Sequence, residues 1–124
     1  MRLDINTTKK KVFRQIVEVL RGVPPLNSLR NRELDVLAIL MYYNYKYKKV
    51  PEDIRWRIIH DTSTRKEMQV DINMTEDIFN NNISLVRKAG LLDKSGKVPS
   101  FFMIDLDDRY EVIFNFKIHE EDEL

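Results

Sequence analysis

The chain has 124 residues, 21 Lys and Arg against 20 Asp and Glu, a net charge of +1 and no cysteine. That length suits one domain with a core that needs no covalent staple, and the lack of cysteine excludes disulfides and thiolate chemistry. The longest apolar run, residues 36–43, is eight residues, well short of the ~20 that a spanning helix needs, and no apolar stretch follows Met1 as a secretory signal requires.

A cytoplasmic protein with no membrane association is therefore expected. The charge is unevenly spread. Residues 1–66 hold 15 Lys and Arg against 7 Asp and Glu, and residues 67–124 hold 6 against 13. Such asymmetry points to a charged partner, or to copies meeting through oppositely charged halves, unless folding interleaves the two halves.

In chain order, Asn6-Thr7-Thr8 supplies a cap and residues 9–21 form the first helix, with Val12, Phe13, Ile16, Val17 and Leu20 on one face. Lys9, Lys10, Lys11 and Arg14 open this helix. They read as a solvated run or, more sharply, as a basic arm for phosphate. Gly22-Val23-Pro24-Pro25 ends it, because two prolines cannot continue a helix. Residues 27–32 lead into a second helix that reaches about Tyr47 and is apolar almost all round, as a central core helix is. Tyr42, Tyr43, Tyr45 and Tyr47 alternate with Asn44, Lys46, Lys48 and Lys49. This reads as the wet end of a core helix rather than a base-stacking platform.

Pro51 opens a third helix over residues 51–60, with Ile54, Ile58 and Ile59 inward and Trp56 across the edge. Thr64 and Glu67 have capping-box spacing for a fourth helix over residues 65–71. Ile72-Asn73-Met74 breaks it, and Thr75 caps a fifth over residues 76–89, which Gly90 stops. Asn82 falls within the apolar arc of Ile78, Phe79, Ile83, Val86 and Ala89, where its amide needs a partner such as a nearby backbone group. Leu91-Leu92 starts an apolar segment and Asp93-Lys94-Ser95-Gly96 is a tight turn. The period then changes from helical to alternating. Val112, Phe114, Phe116 and Ile118 alternate with Glu111, Asn115 and Lys117, with Ile113 the exception, as in a half-buried strand. Residues 101–106 are its expected antiparallel partner, joined by the turn Asp107-Asp108-Arg109, and residues 119–124 are an acidic tail.

The order of helices, helix-turn-helix and hairpin resembles winged helix-turn-helix domains. Leu29-Arg30-Asn31-Arg32-Glu33-Leu34-Asp35-Val36-Leu37 resembles their opening core helix, with Arg30 in place of the usual Thr. Ile83-Ser84-Leu85-Val86-Arg87-Lys88-Ala89-Gly90-Leu91-Leu92 resembles the end of their recognition helix. The chain is also similar in style to small winged-helix proteins of tailed bacteriophages. The expected fold class is thus α+β: one domain over 1–124, with an N-terminal helix and Pro-rich connection (1–26), a winged-helix core (27–118) and the acidic tail. It has about five helices and a small C-terminal antiparallel hairpin as the wing.

The resemblance implies a DNA-associated protein, regulatory or packaging-related, in a host cytoplasm or a virion. Asn80, Asn81, Ser84 and Arg87 would face bases in double-stranded DNA, and Lys88, Lys94 and Lys97 would hold phosphate. Two departures stand out. The turn before the recognition helix lacks a glycine, leaving Asn73 to take the left-handed conformation. The helix also starts with Glu76 and Asp77, which repel phosphate. A non-enzymatic assembly module that docks on protein is the alternative. No catalytic motif is present: His60 and His119 lack metal-ligand spacing, and Asp105, Asp107 and Asp108 read as turn residues. No cofactor or metal is expected.

Overall fold

A computed structural model describes residues 1–107 and 109–121. Five α-helices occur in the order α1 (Lys9–Leu20), α2 (Asn31–Lys46), α3 (Glu52–Ile59), α4 (Thr62–Asp71) and α5 (Glu76–Lys88), with short 3-10 turns at Leu26–Ser28 and Ser100–Phe102. Among the described residues there is no strand and no sheet.

Helix α2 is the hub. Leu34, Val36, Leu37, Ala38, Ile39, Leu40 and Met41 are all buried, so the helix is wrapped on several sides by α1, α3 and α5. Its start is fixed by Glu33, whose carboxylate accepts from the Arg30 backbone N–H at 2.8 Å. That is one half of the Ser/Thr-x-x-Glu box, kept although Arg30 cannot supply the other half. Helix α1 lies on α2 through Phe13, Ile16 and Val17, its first turn capped by Thr8 Oγ1, which accepts from Lys11 N at 3.3 Å. Arg55 of α3 ties down the α2–α3 connection. Its guanidinium donates to Asn44 Oδ1 at 3.0 Å and to the carbonyls of Val50 and Lys48 at 2.9 and 3.1 Å.

Helices α4 and α5 are joined by a four-residue turn built from a Schellman motif. Asn73 takes the left-handed conformation (φ 54°), while Met74 N donates to Gln69 O at 2.9 Å and Asn73 N to Val70 O at 3.2 Å. Asparagine does here what glycine often does, as the sequence suggests. Thr75 Oγ1 accepts from Ile78 N at 3.3 Å and starts α5. The same motif recurs at its end, with Gly90 at φ 83° and Leu91 N donating to Val86 O at 3.1 Å. Asn82 is buried and its amide donates to Ile78 O at 2.8 Å, the local backbone partner its position calls for.

Several expectations are corrected. The α+β class fails, and with it the hairpin and wing. Residues 98–106 are not free to pair as a strand. Val98, Phe102 and Leu106 are buried in the helical core, Pro99 starts a 3-10 turn, and the Leu106 carbonyl accepts from Tyr45 Oη at 3.3 Å. Without that partner, residues 109–118 run past the helices with no backbone ladder, and their apolar side chains stay exposed: Phe116 is 82% and Ile118 92% exposed. The expected turn includes Asp108, and the acidic tail includes Asp122, Glu123 and Leu124; these four lie outside the described residues. Helix α4 starts at Thr62, with Asp61 as its cap residue, so Thr64 is not the cap; it is buried in the first turn. In α3 the roles of two residues are exchanged. Ile54 is 50% exposed, whereas Trp56 is 2% exposed and sits in the core.

The charge asymmetry between halves is partly consumed inside the chain. Lys10 pairs with Asp71 at 3.2 Å and Lys48 with Asp105 at 3.1 Å, each joining the basic to the acidic half. Among the described residues no helix is long and apolar enough to cross a membrane.

Candidate functional site

The corner where α3, α4 and α5 meet the turn at residues 93–97 forms a cavity of about 470 Å³. Helix α3 contributes Asp53, Trp56 and Arg57 and its C-cap His60, α4 contributes Arg65, α5 contributes Arg87, and the turn contributes Lys94 and Lys97. The turn is preorganised by Asp93, whose Oδ1 accepts from Ser95 Oγ at 2.7 Å and from the backbone N–H groups of Ser95 and Lys97 at 2.9 Å each. Those bonds, the Ser95 hydroxyl foremost, hold the Asp93 carboxyl below its ordinary pKa.

Gly96 closes the turn at φ 83°. A Cβ there would fall on the His60 ring, so glycine is required by both conformation and space. The Gly96 carbonyl lies 2.7 Å from His60 Nε2, and Arg65 Nη2 lies 3.2 Å from His60 Nδ1. A guanidinium can only donate, so Nδ1 must accept and Nε2–H must donate to Gly96. This fixes His60 as the neutral Nε2–H tautomer. Burial pushes its pKa down; the Gly96 bond opposes that, and the nearby charges of Arg65 and Arg87 add to the lowering.

Arg65 is the centre of the cavity's electrostatics. Its other terminal nitrogen donates to Asn80 Oδ1 at 3.2 Å. Both partners, Asn80 and His60, are neutral, so neither balances the guanidinium charge. Burial and the proximity of Arg87 accordingly lower the Arg65 pKa. Arg65 Nε is buried and meets no acceptor, and the same is true of Trp56 Nε1, whose ring stacks on His60 at 5.9 Å. Among the described residues, Arg57, Arg65, Arg87 and Lys94 make no ion pair. Lys97 does, with Asp53 at 2.8 Å and Glu52 at 3.2 Å. The cavity lining is therefore rich in cations and donors, with Asp53, bonded to Lys97, as its one carboxylate, and this excess of positive charge suits an anion.

The expected DNA-facing residues divide accordingly. Arg87, Lys94 and Lys97 line the cavity, with Lys97 neutralised. Asn80 supports Arg65 from behind. Asn81, Ser84 and Lys88 are exposed on α5 outside the cavity. The expected basic arm is the first turns of α1, a separate part of the fold. There Lys10 is paired with Asp71, and Arg14 is held by Asp35 at 2.6 Å and Glu18 at 2.8 Å. Lys9 sits over the Tyr45 ring and Lys11 is exposed. The tyrosine cluster on α2 holds its own cations, with Lys48 4.5 Å from the Tyr45 ring centre and Lys46 5.0 Å from that of Tyr43. Sequence reading misses Arg57, His60 and Arg65 as site residues. Arg57 and His60 come from α3 and its end, Arg65 from α4, and they share no motif. No sequence signal joins them to the turn, since they lie 31 or more residues before Gly96.

Among the described residues no group of three or more His, Asp or Glu side chains could hold a metal. Compared with known proteins, the chain matches no family model, no curated protein and no solved structure.

Proposed function

We propose that the chain is a DNA-associated protein that takes phosphate in the basic cavity beside α5. The observation that carries this reading is the set of Arg57, Arg65, Arg87 and Lys94 around one cavity, none of them in an ion pair among the described residues. Phosphate supplies the charge and acceptors that the cavity lacks. Asn81, Ser84 and Lys88 stand beside it on the exposed face of α5, where they would meet a groove. Glu76 and Asp77 are exposed at the start of the same helix, so the contact is centred on its C-terminal half. The setting is regulation or packaging of DNA, in a bacteriophage particle or its host's cytoplasm. The chain is read as a binder rather than an enzyme: both ring nitrogens of His60 are engaged in structural bonds.

The test is a salt titration of binding to random-sequence duplex DNA. One phosphate in the cavity and a second at Lys88 beside it give a log–log slope of about −1.8. Absence of binding to any duplex at low salt would overturn the reading.

A second reading, a structural module that associates with its own copies, is favoured by the exposed apolar residues 112–118. Sedimentation of the full chain decides it. A dimer that dissociates in Phe114→Ser/Phe116→Ser supports self-association, and a monomer at all concentrations contradicts it.

A further inference from the structure

Charge and donor count narrow the ligand. A phosphodiester inside a strand carries one negative charge, two free oxygens and a sugar on each side. A terminal phosphate carries about −1.5 to −2 near neutral pH, three strong acceptor oxygens and a sugar on one side only. The cavity presents four cations without an ion pair, two of them guanidiniums close enough that Arg87 lowers the pKa of Arg65. Asp53, engaged by Lys97, is the one carboxylate in the lining. One internal phosphodiester would leave most of this positive charge and several donors unmatched. The cavity is a recess of about 470 Å³ between three helices and a turn, within the size range of sites for single small groups. A recess admits the end of a chain more readily than its middle, which must enter and leave.

Resting on the DNA reading, we propose that this cavity binds the terminal phosphomonoester of a DNA strand, with Arg65 and Arg87 as its two principal ligands. Arg65 is already oriented for this by His60 and Asn80, so binding orders few new side chains. Lys97, held by Asp53 and Glu52, forms the wall and is not a ligand.

The test compares four probes by competition against one labelled duplex with phosphorylated ends. These are the same duplex unlabelled, with 5′-phosphate, 3′-phosphate or hydroxyl ends, and thymidine 5′-monophosphate. Phosphorylated ends, at one terminus or both, should bind at least about tenfold tighter than hydroxyl ends, the equivalent of one charge-assisted hydrogen bond. Arg87→Gln, an exposed residue whose loss spares the fold, should abolish the difference, and Arg65→Gln should do the same with unchanged helicity by circular dichroism. Equal binding of all three duplexes overturns the terminal-phosphate assignment and leaves DNA association standing. Thymidine 5′-monophosphate competing as well as the duplex end overturns DNA as the source of the phosphate. If no duplex binds, both the assignment and the DNA reading fall.

Discussion

Residues 61–97 and residues 98–121 carry twelve apolar side chains each but dispose of them differently. In the first region Met68, Phe79 and Val86 are fully buried and the helices close their own backbone bonds, with Asn73 and Gly90 completing each C-terminus. In the second region, the apolar side chains up to Leu106 are mostly drawn into the helical core, while those of residues 109–118 remain largely exposed. The difference is one of backbone accounting. A helix needs no partner for its N–H and C=O groups, so an amphipathic face is enough to place it. An extended segment needs another strand, and the segment adjacent in sequence is committed elsewhere. The basic cavity is shared between this first region and α3, and takes no residue from 98–121.

Three variants would break or sharpen this contrast. The largest effect is expected from Trp56→Ala, which should lower unfolding stability by about 3–5 kcal/mol in denaturant titrations. A value below about 1 kcal/mol would mean that α3 is not docked as described. Next, Gly96→Ala forces a side chain into the left-handed region and onto the His60 ring, and should cost about 2–3 kcal/mol. The fluorescence of Trp56, stacked on His60, should shift with it. At the other extreme, Phe114→Ser/Phe116→Ser should change monomer stability by less than about 0.5 kcal/mol, because both residues are exposed and neither belongs to the core. A loss of several kcal/mol would show that residues 109–118 pack on the body after all.

His60, at the end of α3, adds a pH signature to the cavity. Its folded pKa lies below the ordinary value, so the unfolded chain binds the proton more readily. Stability is therefore full above about pH 6.5 and should fall as pH drops below it. The slope should disappear in His60→Gln, in which an amide N–H can still reach the Gly96 carbonyl. An unchanged slope in that variant would assign the pH dependence to another group.

Sequence reading succeeds where the signal is local. Thr8 and Thr75 cap, Gly90 stops α5, Asn73 turns the chain between α4 and α5, and the all-round apolar α2 is the hub, each from residues a few positions apart. It fails where the outcome depends on distant competition. Residues 112–118 alternate as a strand does, but their expected partner is claimed by Tyr45 and the core. Thr64 matches a capping box, but the chain offers Asp61, Thr62 and Ser63 just before it, and the helix starts there. Trp56 and Ile54 exchange roles because three apolar residues two and four apart do not fix the phase of an eight-residue helix. Half of the site was legible in Arg87, Lys94 and Lys97. The other half, Arg57, His60 and Arg65, becomes visible only when three helices converge.

The measurement that bears most directly on the basic cavity compares salt slopes for duplex DNA binding by the wild-type chain, Arg87→Gln and Lys11→Gln. Lys11 is an exposed cation on α1, away from the cavity. Arg87→Gln should reduce the slope by about one unit and weaken binding, while Lys11→Gln leaves the slope unchanged. Equal slopes in all three proteins, or a loss confined to Lys11→Gln, would contradict the cavity's role.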